Sequence, residues 1–305
     1  MRLHVVEGRL CVICCFLVYF GFILQKDFVV SVKSCNFASL FYCTYRAMSQ
    51  NNNIIYELCQ MRIFSPMDVS HTMQMTTKAV SGALLRWQEQ GFIRQIRRGL
   101  YTAIDPVSGM PIADRYEIGS RVSAIAYIGW HSALEIHGLA HQQYFSLYVA
   151  SESAFNPFTF EDIDFLCCDM PSLHELGVVT PVGTHYRVTD LERTLIDCFD
   201  RINRAGGVEE LLHCMEGIRI LDEQKLRTYL AAYNKKFLYQ KAGFFLEYIQ
   251  EQAHISDQLI SDFRQQGATC VQHLTSDGDC TQYIKQWKLY VPTYCLPDKS
   301  ILGMF

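Results

Sequence analysis

Residues 65–104, SPMDVSHTMQMTTKAVSGALLRWQEQGFIRQIRRGLYTAI, constrain this chain more than any other stretch. Two helical periods separated by a polar turn lead into two short apolar runs around a basic, glycine-containing turn. In the first helix Ser65 caps, Pro66 takes the first position and Asp68 lies in the first turn, where a carboxylate meets free N–H groups. In the second, Thr76 and Thr77 precede Lys78, and hydroxyl oxygens there can accept from unpaired backbone donors. Val80, Ala83, Leu84 and Trp87 then recur at helical spacing and define a buried face. A rotation of about 100° per residue turns Lys78, Ser81 and Gly82 to the opposite side. Gly91 follows as the terminator. Residues 93–96 read as a strand, Arg97-Arg98-Gly99 as a tight turn, and residues 100–104 as the return strand. Leu85 projects towards the outer face and is expected to pack under the hairpin. The pattern predicts a winged helix-turn-helix.

Its chemistry suits DNA. A helix opened by Thr76, Thr77, Lys78 and Ser81 can enter a major groove and reach base edges. Arg94, Arg97 and Arg98 on the adjoining hairpin can neutralise flanking phosphates, which adds affinity without sequence choice. Gly82 costs about 1 kcal/mol relative to alanine inside a helix, and on the outer face it would permit close backbone approach. The other reading of the stretch is a protein-docking module whose charges are merely solvated. The distribution of charge favours DNA. A net charge of −4 over 305 residues excludes a general basic coat. Residues 48–104 nevertheless hold six basic and three acidic side chains, a local +3.

Residues 1–47 differ from the rest. After Arg2 and Arg9 comes an uncharged run of 15 residues, LCVICCFLVYFGFIL at 10–24, short for a membrane span of about 20. No small-x-small cleavage site follows, and Met48 precedes a polar SQNNN tract typical of a cytosolic N-terminus. The preferred explanation is an over-extended start; a membrane-tethered regulator and a signal peptide are the rivals. Thirteen cysteines are scattered, several inside apolar runs, as buried thiols of a reduced compartment would be. Cys11 and Cys14 form a C-x-x-C without a second pair, which does not make a zinc site. Cytoplasmic residence is expected, and membrane association is not.

The expected fold class is α+β: a winged helix (48–105), a turn-rich linker (106–111) and a mixed α/β domain (112–300) with a helical C-terminal part. In that second domain a helix is expected at 113–123, then a short strand and a helix from Trp130 to His137 stopped by Gly138. Strands at 145–150 and 160–168 and a hairpin at 178–188 follow. Thr189 and Glu192 form an S/T-x-x-E capping box for the next helix. Helices are expected at 208–216, 222–233, 236–253 and 256–266, with a last strand at 287–296.

Asp190, Glu192, Arg193, Thr194 and Asp197 make the densest polar constellation of this domain. They read either as a carboxylate pair or partner surface, or as a cap plus an Arg193–Asp197 pair at i, i+4, and the second accounts for them unaided. Asp162, Asp164 and Glu223-Gln224-Lys225 supply the letters of a metal-dependent nuclease, but Lys225 falls in a helix start that Asp222 caps. His131, His137 and His141 are interrupted by Gly138 and need not converge on a metal. No Walker loop, dinucleotide fingerprint or nucleophile elbow is present, so no cofactor, metal or enzymatic activity is expected. Arg201, Arg204, Lys235 and Lys236 read as helix-end charges or as a second phosphate-contacting surface.

Several ordered pieces carry a family resemblance. GFIRQIRRGLY is followed by YIGWHSALEIHGL, RVTDLERTLIDCF, AGGVEELL and YLAAYNKKFLYQKAG. Together, over residues 48–296, these resemble the AbiEi-type antitoxins, the regulator half of type IV toxin–antitoxin (abortive infection) operons. The resemblance implies a winged helix that represses its own operon by binding promoter repeats. It also implies a C-terminal domain that counteracts a nucleotidyltransferase-like toxin without forming a stable complex with it. By position, the DNA-reading role falls on Thr76, Thr77, Lys78 and Ser81, with Arg94, Arg97 and Arg98 in the wing. Residues 1–47 have no counterpart in the family pattern.

Overall fold

The computed structural model describes residues 53–169, 173–275 and 280–295. The extension at 1–47, with its apolar run, lies outside the described residues. Helix α1 runs through residues 53–61, and strand β1 (Ile63–Phe64) leads to Ser65. Ser65 closes a reciprocal cap. Its N–H donates to the Asp68 carboxylate at 2.7 Å, and its hydroxyl accepts from the Asp68 N–H at 3.3 Å. With Pro66 in the first turn, this starts α2 (Pro66–Thr72). Helix α3 (Thr77–Glu89) begins at its Thr76 cap and buries Val80, Ala83, Leu84 and Trp87, the face that the spacing predicts. Its end is a Schellman turn. Phe92 N–H donates to Trp87 O at 2.9 Å and Gly91 N–H to Gln88 O at 3.1 Å, with Gly91 at φ +76°. Strands β2 (Ile93–Arg97) and β3 (Leu100–Ala103) then pair antiparallel around Gly99, and β1 joins β3 to give the order β1-β3-β2.

The segment at 105–111 folds on itself. The Asp105 carboxylate accepts from Val107 N–H at 3.1 Å and from the Ser108 hydroxyl at 2.7 Å. Helix α4 (Arg115–Ser120) lies against a six-stranded mixed sheet built from β4 (Ala126–Ile128), β5 (Ser146–Ser151), β6 (Phe158–Phe160), β7 (Ile163–Asp169), β8 (Val178–Val179) and β9 (Val188–Thr189). The order is β6-β7-β5-β4-β9-β8, with β5 parallel to β7 and β4 parallel to β9. The strand expected at 160–168 is divided, because Glu161 and Asp162 take φ of +49° and +61° and turn β6 back onto β7.

Helix α5 (Trp130–Ile136) follows β4 and stops at Gly138, φ +71°. Helices α6 (Leu191–Asp200), α7 (Val208–Glu216), α8 (Glu223–Tyr233), α9 (Lys236–Tyr248) and α10 (Asp257–Gln266) make the helical part. A three-stranded sheet completes it, from β10 (Gln272–His273), β11 (Cys280–Ile284) and β12 (Leu289–Pro292), where the sequence suggests one strand. The chain is thus mixed α+β. Among the described residues, no helix is long and apolar enough to cross a membrane.

Two apolar clusters organise the packing. The larger fills the space between the helical part and one face of the mixed sheet, with Trp130, Phe199, Phe245 and Trp287 among its members. The smaller joins Ile63 and Ile96 of the small sheet to Ile118, Ile128, Leu147, Val149 and Phe165. Helix α9 crosses the last sheet at Gly243, where a β-carbon would collide with the Trp287 indole. Gly243→Ala is therefore expected to lower stability by roughly 1–3 kcal/mol through overpacking, seen as a fall in the urea midpoint. An unchanged midpoint would mean that Trp287 moves aside freely.

Candidate functional site

The outer face of α3 is set by what its inner face buries. With Val80, Ala83, Leu84 and Trp87 inward, Thr77, Lys78, Ser81, Gly82, Leu85 and Arg86 are left exposed. Thr76 caps, its hydroxyl accepting from Ala79 N–H at 3.4 Å, and Ser81 donates its hydroxyl to Thr77 O at 3.2 Å. The Thr76 side chain is thus engaged at the helix start. Lys78, Arg86 and Arg98 make no ion pair among the described residues. Leu85, expected under the hairpin, is 61 % exposed. The reason is geometric: the hairpin packs through Ile96 into the apolar cluster of the mixed sheet, and no described residue covers most of Leu85.

The wing arginines divide. Arg98 stands exposed at the turn. Arg94 pairs with Glu161 beyond the β6 strand. Arg97 donates to Val122 O, and its guanidinium carbon lies 5.5 Å and 5.8 Å from the ring centroids of Phe155 and Phe158. Arg62 likewise holds Glu117 at 2.7 Å and Ile112 O at 2.8 Å. Three arginines therefore fasten the small sheet to the residues around the mixed sheet. Lys78, Arg86 and Arg98 are the cations left to a ligand. Arg86 lies outside the residue set that the sequence suggests, although helical rotation turns it outward too; Leu85 faces outward as its rotation predicts but without the expected cover.

The second constellation turns inward. Arg193 and Asp197 are both fully buried, with Nε to Oδ1 at 2.8 Å. The guanidinium also reaches Leu176 O and the Tyr127 hydroxyl at 3.2 Å, and Tyr233 donates to Asp197. Burial pushes the Tyr127 hydroxyl up to about 12. Asp190, rather than Thr189, caps α6, accepting from Arg193 N–H at 2.9 Å. Thr189 belongs to β9, where its extended backbone pairs with Val178, and its hydroxyl meets Thr194 at 2.7 Å. The other Asp190 oxygen accepts from Tyr229 at 2.7 Å and Lys225 at 3.0 Å. Glu192 accepts from Asp222 N–H at 2.9 Å and so caps the start of α8 from outside. Lys225 is thereby committed to two carboxylates.

The three histidines do not gather at one point: His137 stands apart, while His131 and His141 both meet Glu210. His137 Nε2 lies 2.8 Å from Thr189 O, and His141 is exposed. His131 is buried between Glu210 at 3.1 Å and Glu135 at 3.5 Å. Glu210 Oε1 also accepts from His141 and Gln142 N–H groups, each at 3.0 Å. Burial alone would raise both carboxyls. Hydrogen bonds from His131 and from the backbone outweigh it, with the Arg115 charge adding at Glu135, and hold both below the ordinary 4.5.

No family model and no curated protein matches this chain. Its fold is similar to that in a crystal structure of the RV2827C protein from Mycobacterium tuberculosis, with a TM-score of 0.55 at 12 % identity, covering 82 % of this chain and 93 % of that one. At such identity the similarity is one of fold.

The buried pair makes a stability prediction. Arg193→Met, which leaves Asp197 uncompensated, is expected to cost about 3–5 kcal/mol in urea unfolding, and the Arg193→Met/Asp197→Leu double variant to recover part of it. A double variant as unstable as the single would mean that shape, not charge, decides the site. The Glu135 and Glu210 carboxyls make another. Their folded values are depressed, so their contribution is present above the ordinary 4.5 and is lost as pH falls through the lowered values. The urea midpoint should therefore drop below that pH, and less steeply in Glu210→Gln. Parallel pH profiles for the two proteins would exclude Glu210 as a contributor.

Proposed function

We propose that this chain is a DNA-binding regulator of the AbiEi antitoxin type, in which residues 48–105 form a winged helix-turn-helix that represses its own operon. The observation carrying the reading is the outer face of α3: Thr77, Lys78 and Ser81 in its first turns, with Arg86 and Arg98 alongside, all exposed, and the three cations unpaired among the described residues. A short polar first half suits base edges, and free cations at its flanks suit phosphates. The C-terminal domain, on this reading, counteracts a nucleotidyltransferase-like toxin in the cytoplasm, without a cofactor and without a stable complex. Asp190, Glu192, Arg193, Thr194 and Asp197 support that domain from within, since each is engaged by neighbouring side chains or backbone. Any surface acting on the toxin then lies elsewhere.

The test is a gel shift and salt titration of the full chain on its own upstream DNA. Lys78→Ala and Arg98→Ala are each expected to weaken binding and to flatten the salt slope by about one unit. Arg97→Ala should chiefly lower the urea midpoint, because its guanidinium is engaged by Val122 and two phenylalanines. Retardation no stronger than that of unrelated DNA at low salt would sink the repressor reading and leave α3 as a protein-docking helix.

A further inference from the structure

Two residues on the outer face of α3 have no explanation among the described residues. A β-carbon added at Gly82 would meet no atom within 4 Å, and the backbone there is ordinary helix. Alanine would fit, and would strengthen the helix. Leu85 leaves 61 % of its surface in water on that same face. A lone exposed leucine needs no special account. This one, however, lies three residues beyond Gly82, four beyond Ser81 and seven beyond Lys78, so all four form one stripe. The Ser81 hydroxyl hydrogen is directed to Thr77 O, which leaves the middle of the stripe low and without an outward donor. From Lys78 to Leu85 the stripe runs about 10 Å along the axis, polar at its start and apolar at its end.

We propose that Gly82 and Leu85 make α3 a reader of thymine: Gly82 lets the helix backbone settle deep in the major groove, and Leu85 packs on the C5-methyl group of a thymine. The inference rests on the DNA-binding reading above. In the major groove every base-pair edge offers polar donors or acceptors, and the thymine methyl is the apolar feature that an aliphatic side chain can cover with gain. Burying Leu85 there also withdraws its own surface from water. DNA suits the stripe better than a protein helix does, because its neighbours are Lys78, Arg86 and hydroxyls, and no carboxylate occurs in α3 before Glu89.

The experiment compares the chain's own upstream DNA prepared with thymine or with uracil throughout, which removes only the methyl groups, using the full chain and anisotropy titration. The wild type should bind the uracil form more weakly, by about fourfold for each methyl withdrawn from contact. Leu85→Ala should bind both forms equally, near the wild-type affinity for the uracil form. Gly82→Ala should raise the Tm of the free protein yet weaken binding to both DNAs. A wild type indifferent to the methyl groups, or a Leu85→Ala that keeps the preference, overturns the methyl contact. A Gly82→Ala of undiminished affinity overturns the close approach. Variants that both retain full DNA affinity would assign the stripe to a protein partner and overturn the proposal. Failure of the wild type to distinguish its upstream DNA from unrelated DNA is a different result: there the DNA reading itself falls, and thymine reading with it.

Discussion

A guanidinium closed off from water must be given acceptors by the chain itself, and Arg193 is the place where that demand organises the second domain. Its acceptors come from three segments: Asp197 one turn along α6, Leu176 O in the loop before β8, and the Tyr127 hydroxyl on β4; Tyr233 at the end of α8 donates in turn to Asp197. One turn earlier, Asp190 takes Tyr229 and Lys225 from the same α8, and Glu192 takes the Asp222 N–H at its start. Helix α6 thus fixes the interior strand β4, the loop before β8 and helix α8 together. Attraction in a low dielectric is strong, but so is the penalty for desolvating both ions. The pair contributes chiefly by making every alternative packing leave a charge unpartnered.

The small sheet is joined to this domain by a different device. Ile63 and Ile96 enter the apolar cluster around Ile118 and Phe165, and arginines close the rim through Glu117, Glu161, Val122 O and two aromatic rings. Most of these contacts are partly exposed and worth little singly. Collectively they orient the hairpin, and with it α3, whose inner face packs above β2. The same charges that make residues 48–104 locally basic are therefore sorted by position. Those facing the second domain serve attachment, and those on the far side of α3 and at the turn tip stay available.

How far this could be read from the sequence follows the range of each interaction. The capping of α2 by Ser65 and Asp68, the buried face of α3, the Gly91 turn and the Arg193–Asp197 pair all involve residues within five positions, and periodicity or spacing exposes them. The partner of Arg94 is 67 positions away and that of Arg62 is 55 away, so no local pattern announces that these cations are occupied. Thr189 and Asp190 compete for one cap, and strand pairing of Thr189 with Val178 decides between them. Leu85 failed for a related reason: the hairpin that was to cover it is held elsewhere by Ile96. The division of residues 158–169 into two strands rests on left-handed backbone at Glu161 and Asp162, residue types that leave such a turn open without requiring it.

The contrast between the two polar regions then bears on function. Density of polar residues in a short segment draws attention to residues 189–197, yet they are buried, and most of their polar groups meet a neighbour, Asp197 Oδ2 excepted. The outer face of α3 is sparse by comparison, and its Lys78 and Arg86 make no ion pair among the described residues. A glycine that weakens its helix and a leucine left mostly in water add little to the stability of the described fold. In a protein that elsewhere gives Arg193 several partners, these positions are the ones that the proposed DNA contact would account for.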